Sequence, residues 1–133
     1  MSTPITDLSL LLRSMEPVLN AGTYAYVSVP LATDTALVPA IAMVREAEGI
    51  TLVVEEQYAL QQQWPVLFRC AWITLHVHSD LQAVGLTAAF ARALGDAGIS
   101  CNVVAGAFHD HIFVPSDRAQ AAMEALQRLQ RES

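Results

Sequence analysis

Hydrophobic residues in the second half of the chain switch between two spacings, and this switch limits the folds that the chain can adopt. Apolar residues alternate with others from Phe68 to His78, which is typical of a strand with one buried face. An amphipathic helix follows and ends at Gly98, and two more strands are predicted at Ile99–Ala105 and Phe108–Val114 before a final helix. Residues 66–133 therefore predict the ferredoxin-like order of strand, helix, strand, strand and helix, without its last strand.

The first half follows the same order more loosely, and neither half alone would bury enough surface to be stable. Its expected elements are one helix, three strands and a second helix, at Leu8–Met15, Tyr24–Val29, Ala40–Val44, Ile50–Val54 and Glu55–Gln63. We therefore predict an α+β fold of two ferredoxin-like βαββαβ-type halves in tandem, residues 1–65 and 66–133. The antiparallel sheets of these halves are expected to carry their helices on one face.

Composition excludes several classes of protein. The chain has 133 residues, of which 53% are hydrophobic and 15% charged, so it has enough apolar material for a buried core. Its formal net charge of −6 disfavours binding to nucleic acid or to an anionic membrane surface. Two cysteines are too few for a secreted disulfide framework. The start resembles no secretory signal, and no apolar run approaches the ~20 residues of a membrane span, so we expect a cytoplasmic protein.

All four histidines fall in two H-x-H pairs, His76 with His78 and His109 with His111. Residues two apart in a strand share a face, and the first and third strands of a ferredoxin-like unit are antiparallel neighbours. The two pairs are therefore expected to meet on one sheet face. Imidazole is a ligand of zinc, copper and nickel, so a metal site is one hypothesis. Packing or hydrogen bonding against a partner sheet is the favoured interpretation, because the H-x-H pattern is common and no carboxylate or cysteine completes a metal-ligand spacing.

The loop after the strand that ends near His78 has two interpretations. Ser79 and Gln82 have the spacing of a capping box, which predicts an ordinary helix start. Gly85 then falls inside the helix, where glycine is unfavourable unless the backbone needs a positive φ or a close approach to another group. Unpaired N–H groups at such a helix start attract carboxylates. The residues alone leave a simple cap and an anion site equally open.

Asp110 lies between two histidines of one strand, so it is expected to point to the opposite face, toward the helices. A carboxylate there needs a donor, a cation or water, and the ammonium group of a ligand would meet this need. Asn102 on the neighbouring strand offers both a donor and an acceptor. No nucleophile-elbow, phosphate-loop or dinucleotide motif occurs. Cys70 and Cys101 are expected to be small buried apolar residues, so no catalytic residue is predicted.

Three segments of the second half together resemble the ACT domain, especially that of small bacterial tandem-ACT proteins and of the CASTOR-type arginine-sensing proteins of animal cells. These segments are Ile73–Thr87, Gly98–Gly106 and His109–Pro115. Arg45–Val53 in the first half is similar to the other signature of the bacterial group.

The resemblance implies a non-catalytic regulatory module that binds an amino acid or a similar small metabolite, without a cofactor. By position, four residues would cradle the ligand carboxylate: Ser79, Val84, Gly85 and Leu86. Three would line the second strand: Asn102, Val103 and Val104. Asp110 would meet an ammonium or guanidinium group. ACT modules usually regulate a domain on their own chain, and no catalytic or DNA-binding domain is seen here. The protein is therefore expected to act on a partner protein or through rearrangement of a dimer.

A homodimer is expected because the sheet edges are open and an apolar, helix-free face would carry Cys70, Trp72 and Phe113. The small-molecule ligand is expected to be an amino acid, with neither nucleic acid nor membrane as a partner. Two alternatives stay open at this point. One is a metal-binding protein or metal-dependent enzyme that uses the H-x-H pairs, and the other is a purely structural interaction module.

Overall fold

The computed structural model of the chain describes residues 7–77 and 83–133. These residues form seven strands: β1 (Glu16–Leu19), β2 (Tyr24–Val29), β3 (Ala42–Arg45), β4 (Ile50–Glu55), β5 (Phe68–His76), β6 (Asn102–Ala105) and β7 (Asp110–Pro115). Four α-helices accompany them: α1 (Leu8–Ser14), α2 (Glu56–Gln61), α3 (Leu86–Asp96) and α4 (Ala119–Arg131). One turn of 3₁₀ helix, Ser116–Arg118, joins β7 to α4.

The strands form one antiparallel sheet in the order β3-β4-β2-β5-β7-β6, with β1 also paired to β5. The start of β5 pairs with β2, where Tyr24 lies opposite Cys70, and its end pairs with β1, where Glu16 lies opposite His76. Strand β5 is therefore the last strand of the first half and the first strand of the second. The pairings give each half the ferredoxin-like arrangement that the sequence predicts, in which the first strand lies between the third and the last.

The last strand of the second half comes from the beginning of the chain. Residues Glu16–Leu19 pair with Ile73–His76 and complete the unit that the sequence pattern leaves one strand short. The sequence pattern did not reveal β1, because Pro17 lies just after the predicted helix Leu8–Met15 and a proline there is typical of a helix end. Proline is tolerated in a strand that pairs on one side only, and among the described strands β1 pairs with β5 alone. The division between residues 65 and 66 stays a prediction, and the β1–β5 pairing crosses it.

Helices cover one face of the sheet, as predicted. In the second half, α1, α3 and α4 pack on the side chains of β5 and β7 that point to this face, around the fully buried Phe90 and Leu126. In the first half, α2 covers a smaller core with help from Val38 and Ala40 in the segment before β3. The hydrophobic spacing of α3 and α4 accounts for this arrangement, because a helix with one apolar stripe must bury it against another element.

The helix-free face is folded inward on itself. Tyr26 on β2 lies opposite Phe68 on β5. Trp72 lies four residues after Phe68 on β5, and Phe113 lies opposite Trp72 on β7, the strand on the other side of β5. In a flat sheet, the Cα atoms of Tyr26 and Phe113 would lie roughly 16 Å apart. Their ring centroids are only 5.7 Å apart, so the sheet curls toward this face.

The curl corrects one expectation about association. Cys70 and Phe113 are fully buried within the chain, in a cluster with Tyr24 and Val53, so they form no exposed apolar face. Alternation along a strand identifies which residues share a face but not what that face meets, and here the first half covers the second.

No helix within residues 7–77 and 83–133 combines the length and the apolar character that a bilayer crossing would need.

Candidate functional site

The candidate site lies at the end of the sheet where β5 ends and β7 begins. Asp110 is the first residue of β7 and pairs with Leu75 on β5 and with Ala105 on β6. Its side chain faces the helix layer, as predicted, because it shares a face with the core residue Ile112. Burial leaves Asp110 8% exposed and raises the pKa of its carboxyl group. The neighbouring His111 and His109 act in the opposite direction and lower this pKa.

Gly85 forms the turn that starts α3. Its φ is +103°, a left-handed conformation that side chains rarely adopt, and its carbonyl accepts the hydrogen bond of the Ala89 N–H at 2.9 Å. The N–H groups of the following turn have no carbonyl partner within the helix. A Cβ at Gly85 would lie 2.9 Å from Cδ2 of Leu8, so this side chain of α1 fills that side of the turn.

The other predicted ligand-binding residues do not form one cluster. Val84 is 85% exposed beside Gly85, whereas Leu86 is buried in the core. Val103 pairs with a core residue and faces the helix layer, but Asn102 and Val104 pair with Phe113 and His111 and face the helix-free side. Ser79 lies outside the described residues. The described members of the set therefore divide between the two faces of the sheet.

Replacing Gly85 with alanine is expected to lower the free energy of unfolding by about 1–3 kcal/mol. Alanine would have to adopt a backbone conformation that is rare for it, and its Cβ would crowd the Leu8 side chain. Gly95 is the matched control. It lies in α3, and nothing lies within 4 Å of where its Cβ would be. Alanine there should raise the free energy of unfolding by up to about 1 kcal/mol, since alanine favours the helix. Urea denaturation of both variants measures the two changes in the free energy of unfolding. Changes of the same sign in the two variants would contradict the role assigned to Gly85.

Three of the four histidines meet on the helix-free face, as predicted, and His78 lies outside the described residues. The ring centroids of His76 and His109 are 4.7 Å apart. The Nε1–H of Trp72 donates a hydrogen bond of 3.1 Å to Nδ1 of His111, and the Thr74 hydroxyl lies 3.3 Å from the same nitrogen. His111 is therefore hydrogen-bonded, as the favoured interpretation expects, but to residues of the neighbouring strand β5 and not to a partner sheet.

The bond from Trp72 fixes the protonation of His111. An indole N–H only donates, so Nδ1 must be the unprotonated nitrogen, and protonation there would break the bond. Burial lowers the pKa of His111 below its ordinary value of 6.5, and the neighbouring His109 lowers it further. Asp110 raises this pKa and His76 lowers it, as smaller contributions. The imidazole is therefore held in its neutral form.

The protein should lose stability as the pH falls below 6.5, the ordinary pKa of an unfolded histidine. Unfolded chains take up the proton before folded His111 does, so acid favours unfolding until the pH reaches the lower pKa of the folded imidazole. In a His111→Gln variant, the loss over this pH range should be smaller. Urea denaturation at successive pH values measures both curves, and parallel curves would exclude His111 as the source.

The metal-binding alternative gains no support. Within the described residues, no group of three or more histidine, cysteine, aspartate or glutamate side chains is arranged to hold a metal ion. The two cysteines are free thiols. Burial raises the pKa of Cys70 to about 12 and also raises that of Cys101, so both thiols stay protonated and weakly nucleophilic at neutral pH.

The helix-free face also carries a groove that the sequence did not predict, which we call the inner groove. It has a volume of about 290 Å³ and is lined by Ala40, Ile41, Ala42, Trp72, Val104, His111 and Phe113. Strands β3 and β6, the two ends of the sheet, both contribute to it because the sheet curls. The alternation of aromatic residues along β2 and β5 was the available signal, but it could not show that the two halves face each other.

Comparisons with known proteins identify the family of this fold. Residues 3–71 match one model of the ACT domain, and residues 67–128 match a second. The chain belongs to the ACT-domain family. ACT domains are regulatory modules that bind small ligands, and this chain carries two of them in tandem.

Solved structures show the same architecture. A Vibrio cholerae protein of unknown function, described as a possible transport protein, is 48% identical with a TM-score of 0.84, over 92% of this chain and 95% of that chain. An Agrobacterium tumefaciens protein is 14% identical with a TM-score of 0.68, over 87% of this chain and 89% of that chain. The ligand-free regulatory subunit of aspartate kinase from Thermus thermophilus is 9% identical with a TM-score of 0.63, over 85% and 95%. The last two likenesses show the fold alone. The search of curated proteins found no match.

Proposed function

We propose that this protein is a non-catalytic regulatory module that binds an amino acid or a similar small metabolite where β5 ends and α3 begins. Two observations support the proposal: the buried carboxylate of Asp110, which pairs with Leu75 near the end of β5, and the left-handed Gly85 that starts the next helix, α3. An amino acid carries one charged group suited to Asp110 and another suited to the helix start after Gly85. Its ammonium would meet Asp110, and its carboxylate would meet the N–H groups of the first turn of α3.

The energetics of Asp110 favour such a ligand. Burial removes water from its carboxylate, and a raised pKa is the sign of that cost. A ligand ammonium would offset the cost by pairing with the charged form, and hydrogen bonds between charged groups are stronger than those between neutral groups. Ser79, Val84 and Leu86 would complete the carboxylate side of this site, as the family resemblance implies.

Leu8 forms a wall of the proposed site. Its side chain covers Gly85 and is itself 38% exposed, at the first position of α1. Ligand and Leu8 would compete for space beside this turn, so binding would shift the first turn of α1. This links occupancy of the site to the position of the N-terminal segment. A ligand can shift that position only by its difference in affinity for the two arrangements.

Further parts of the proposal concern assembly. We propose a cytoplasmic homodimer, formed through the open edges of β3 and β6, that acts on a partner protein or by rearrangement of its subunits. Met43 and Val44 on β3 are about half exposed, at 51% and 53%, and an exposed edge with apolar side chains favours pairing with another chain. Residues 1–65 and 66–133 would be the two ACT-type units of each subunit, joined by the pairing of β1 with β5.

A thermal-shift screen over the twenty amino acids tests the function. A ligand at a hundred times its dissociation constant adds about 2.7 kcal/mol to stability, which for a chain of this size raises Tm by roughly 10 °C. Two analogues of the best ligand serve as controls. The N-acetyl form lacks the ammonium and the methyl ester lacks the carboxylate, so both should shift Tm far less. If no amino acid raises Tm, an amino-acid ligand is excluded and a structural interaction module becomes the better explanation.

A further inference from the structure

The inner groove is a concave site between the two halves that the proposed amino-acid function does not use. One wall is the segment from Ala40 to Ala42, and the opposite wall is formed by Trp72, Val104 and Phe113. Phe113 is fully buried, and the Tyr24 and Trp72 rings meet at nearly a right angle with their centroids 5.4 Å apart, so the aromatic wall is held in place. The groove is therefore a preformed feature of the fold.

The lining of the groove contains no arginine, lysine, aspartate or glutamate among the described residues. The polar side chains of this lining are the Trp72 indole and the His111 imidazole, and they bond to each other. Because Trp72 donates to Nδ1, the proton of the neutral imidazole resides on Nε2. No hydrogen bond of the described residues uses that Nε2–H. A charged ligand would lose its hydration in this groove and find no opposite charge, whereas a neutral one would not bear that cost.

We infer that the inner groove is a second binding site, for a neutral small molecule with an aromatic or branched aliphatic body and one hydrogen-bond acceptor. The body would pack between Ile41 and the ring of Trp72, and the acceptor would receive the Nε2–H of His111. An apolar cavity of about 150 Å³ is enough to hold benzene. A groove of about 290 Å³ therefore has room for a substituted ring.

Such a ligand would touch both ends of the sheet. Ala42 belongs to β3 in the first half and Val104 to β6 in the second, so one bound molecule would bridge the two halves. Binding would favour the curled form of the sheet over any opened form. The site is distinct from the Asp110 end, which lies on the helix face, so each site can be tested without the other.

The two tryptophans make the test selective. Trp72 lines the groove, whereas Trp64 packs against Tyr58 beside α2. Benzyl alcohol is the probe, and benzylamine, a cation at neutral pH, is the matched control with the same ring. In ¹H–¹⁵N spectra of the full chain, benzyl alcohol should shift the indole N–H peak of Trp72 saturably and leave that of Trp64 in place. Benzylamine should bind at least about tenfold more weakly, because its charge must be desolvated.

Filling the groove should abolish the effect. Ala42→Leu and Val104→Leu add volume from opposite walls, so one remains informative if the other fails to fold. Ala36→Leu, at an exposed position before β3, is the control and should bind as the parent protein does. Unchanged binding in both filled variants, or equal binding of benzylamine, would overturn the inference. A Trp72 peak that shifts with protein concentration in the absence of probe would also overturn it, because a second copy would then occupy the groove.

Discussion

Replacing Leu11 with alanine should lower the free energy of unfolding by about 2–5 kcal/mol, a large part of the stability of a domain this size. Leu11 is fully buried in the core between α1, α3 and α4, and its helix precedes the strand that completes the second half. Removing the Leu11 side chain would leave a cavity and weaken the packing of α1 against the core. The same substitution would be harmless if residues 8–19 were only an appended tail.

Leu10 provides the matched control for this prediction. It lies next to Leu11 in the same helix but is 42% exposed, so alanine there should change the free energy of unfolding by no more than about 0.5 kcal/mol. Urea denaturation followed by circular dichroism gives both values. Similar values for the two variants would contradict the placement of α1 and β1 in the fold of the second half.

Replacing Asp110 with asparagine should weaken amino-acid binding by about ten- to a hundredfold, the range expected for losing a hydrogen bond between charged groups. The side chain keeps its shape but loses the charge that would pair with the ligand ammonium. Stability should not fall, because burial disfavours the charged carboxyl and asparagine avoids that cost. The variant therefore separates binding from folding.

Asp117→Asn is the control for Asp110. Asp117 lies exposed in the 3₁₀ turn after β7, at the other end of that strand, and its loss should leave affinity unchanged. Isothermal titration with the best amino acid of the screen measures both variants. Equal affinity in Asp110→Asn and in the parent protein would remove Asp110 from the site, even if the protein binds an amino acid elsewhere.

Much of the fold could be predicted because its strands and helices differ clearly in hydrophobic period. Tyr24–Val29 was predicted with the bounds that the structure gives, and β4, β5 and α2 differ from prediction by one or two residues at their ends. The capping-box interpretation put Gly85 inside α3, which is wrong, because the helix begins at Leu86 and Gly85 is the residue that caps it. Strand β1 was missed because Pro17 has opposite meanings in a helix and at a sheet edge. The pairing partner of an edge strand depends on contacts with residues far along the chain. The local hydrophobic pattern does not predict such contacts.

The site was predictable only where alternation decides the outcome. The faces of Asp110 and of the three described histidines follow from alternation along β5 and β7 and from the pairing of these two strands, and both predictions are confirmed. The same rule should have separated Val103 from Val104, since neighbours in a strand face opposite sides. The inner groove and the contact of Leu8 with Gly85 join elements distant in sequence, so they required the three-dimensional structure.

The most direct test of the account is a crystal structure grown with the amino acid that raises Tm most in the screen. The account predicts its ammonium within hydrogen-bond distance of the Asp110 carboxylate and its carboxylate at the first N–H groups of α3, with Leu8 displaced from Gly85. An amino acid bound at any other place, with Leu8 still packed on Gly85, would contradict it.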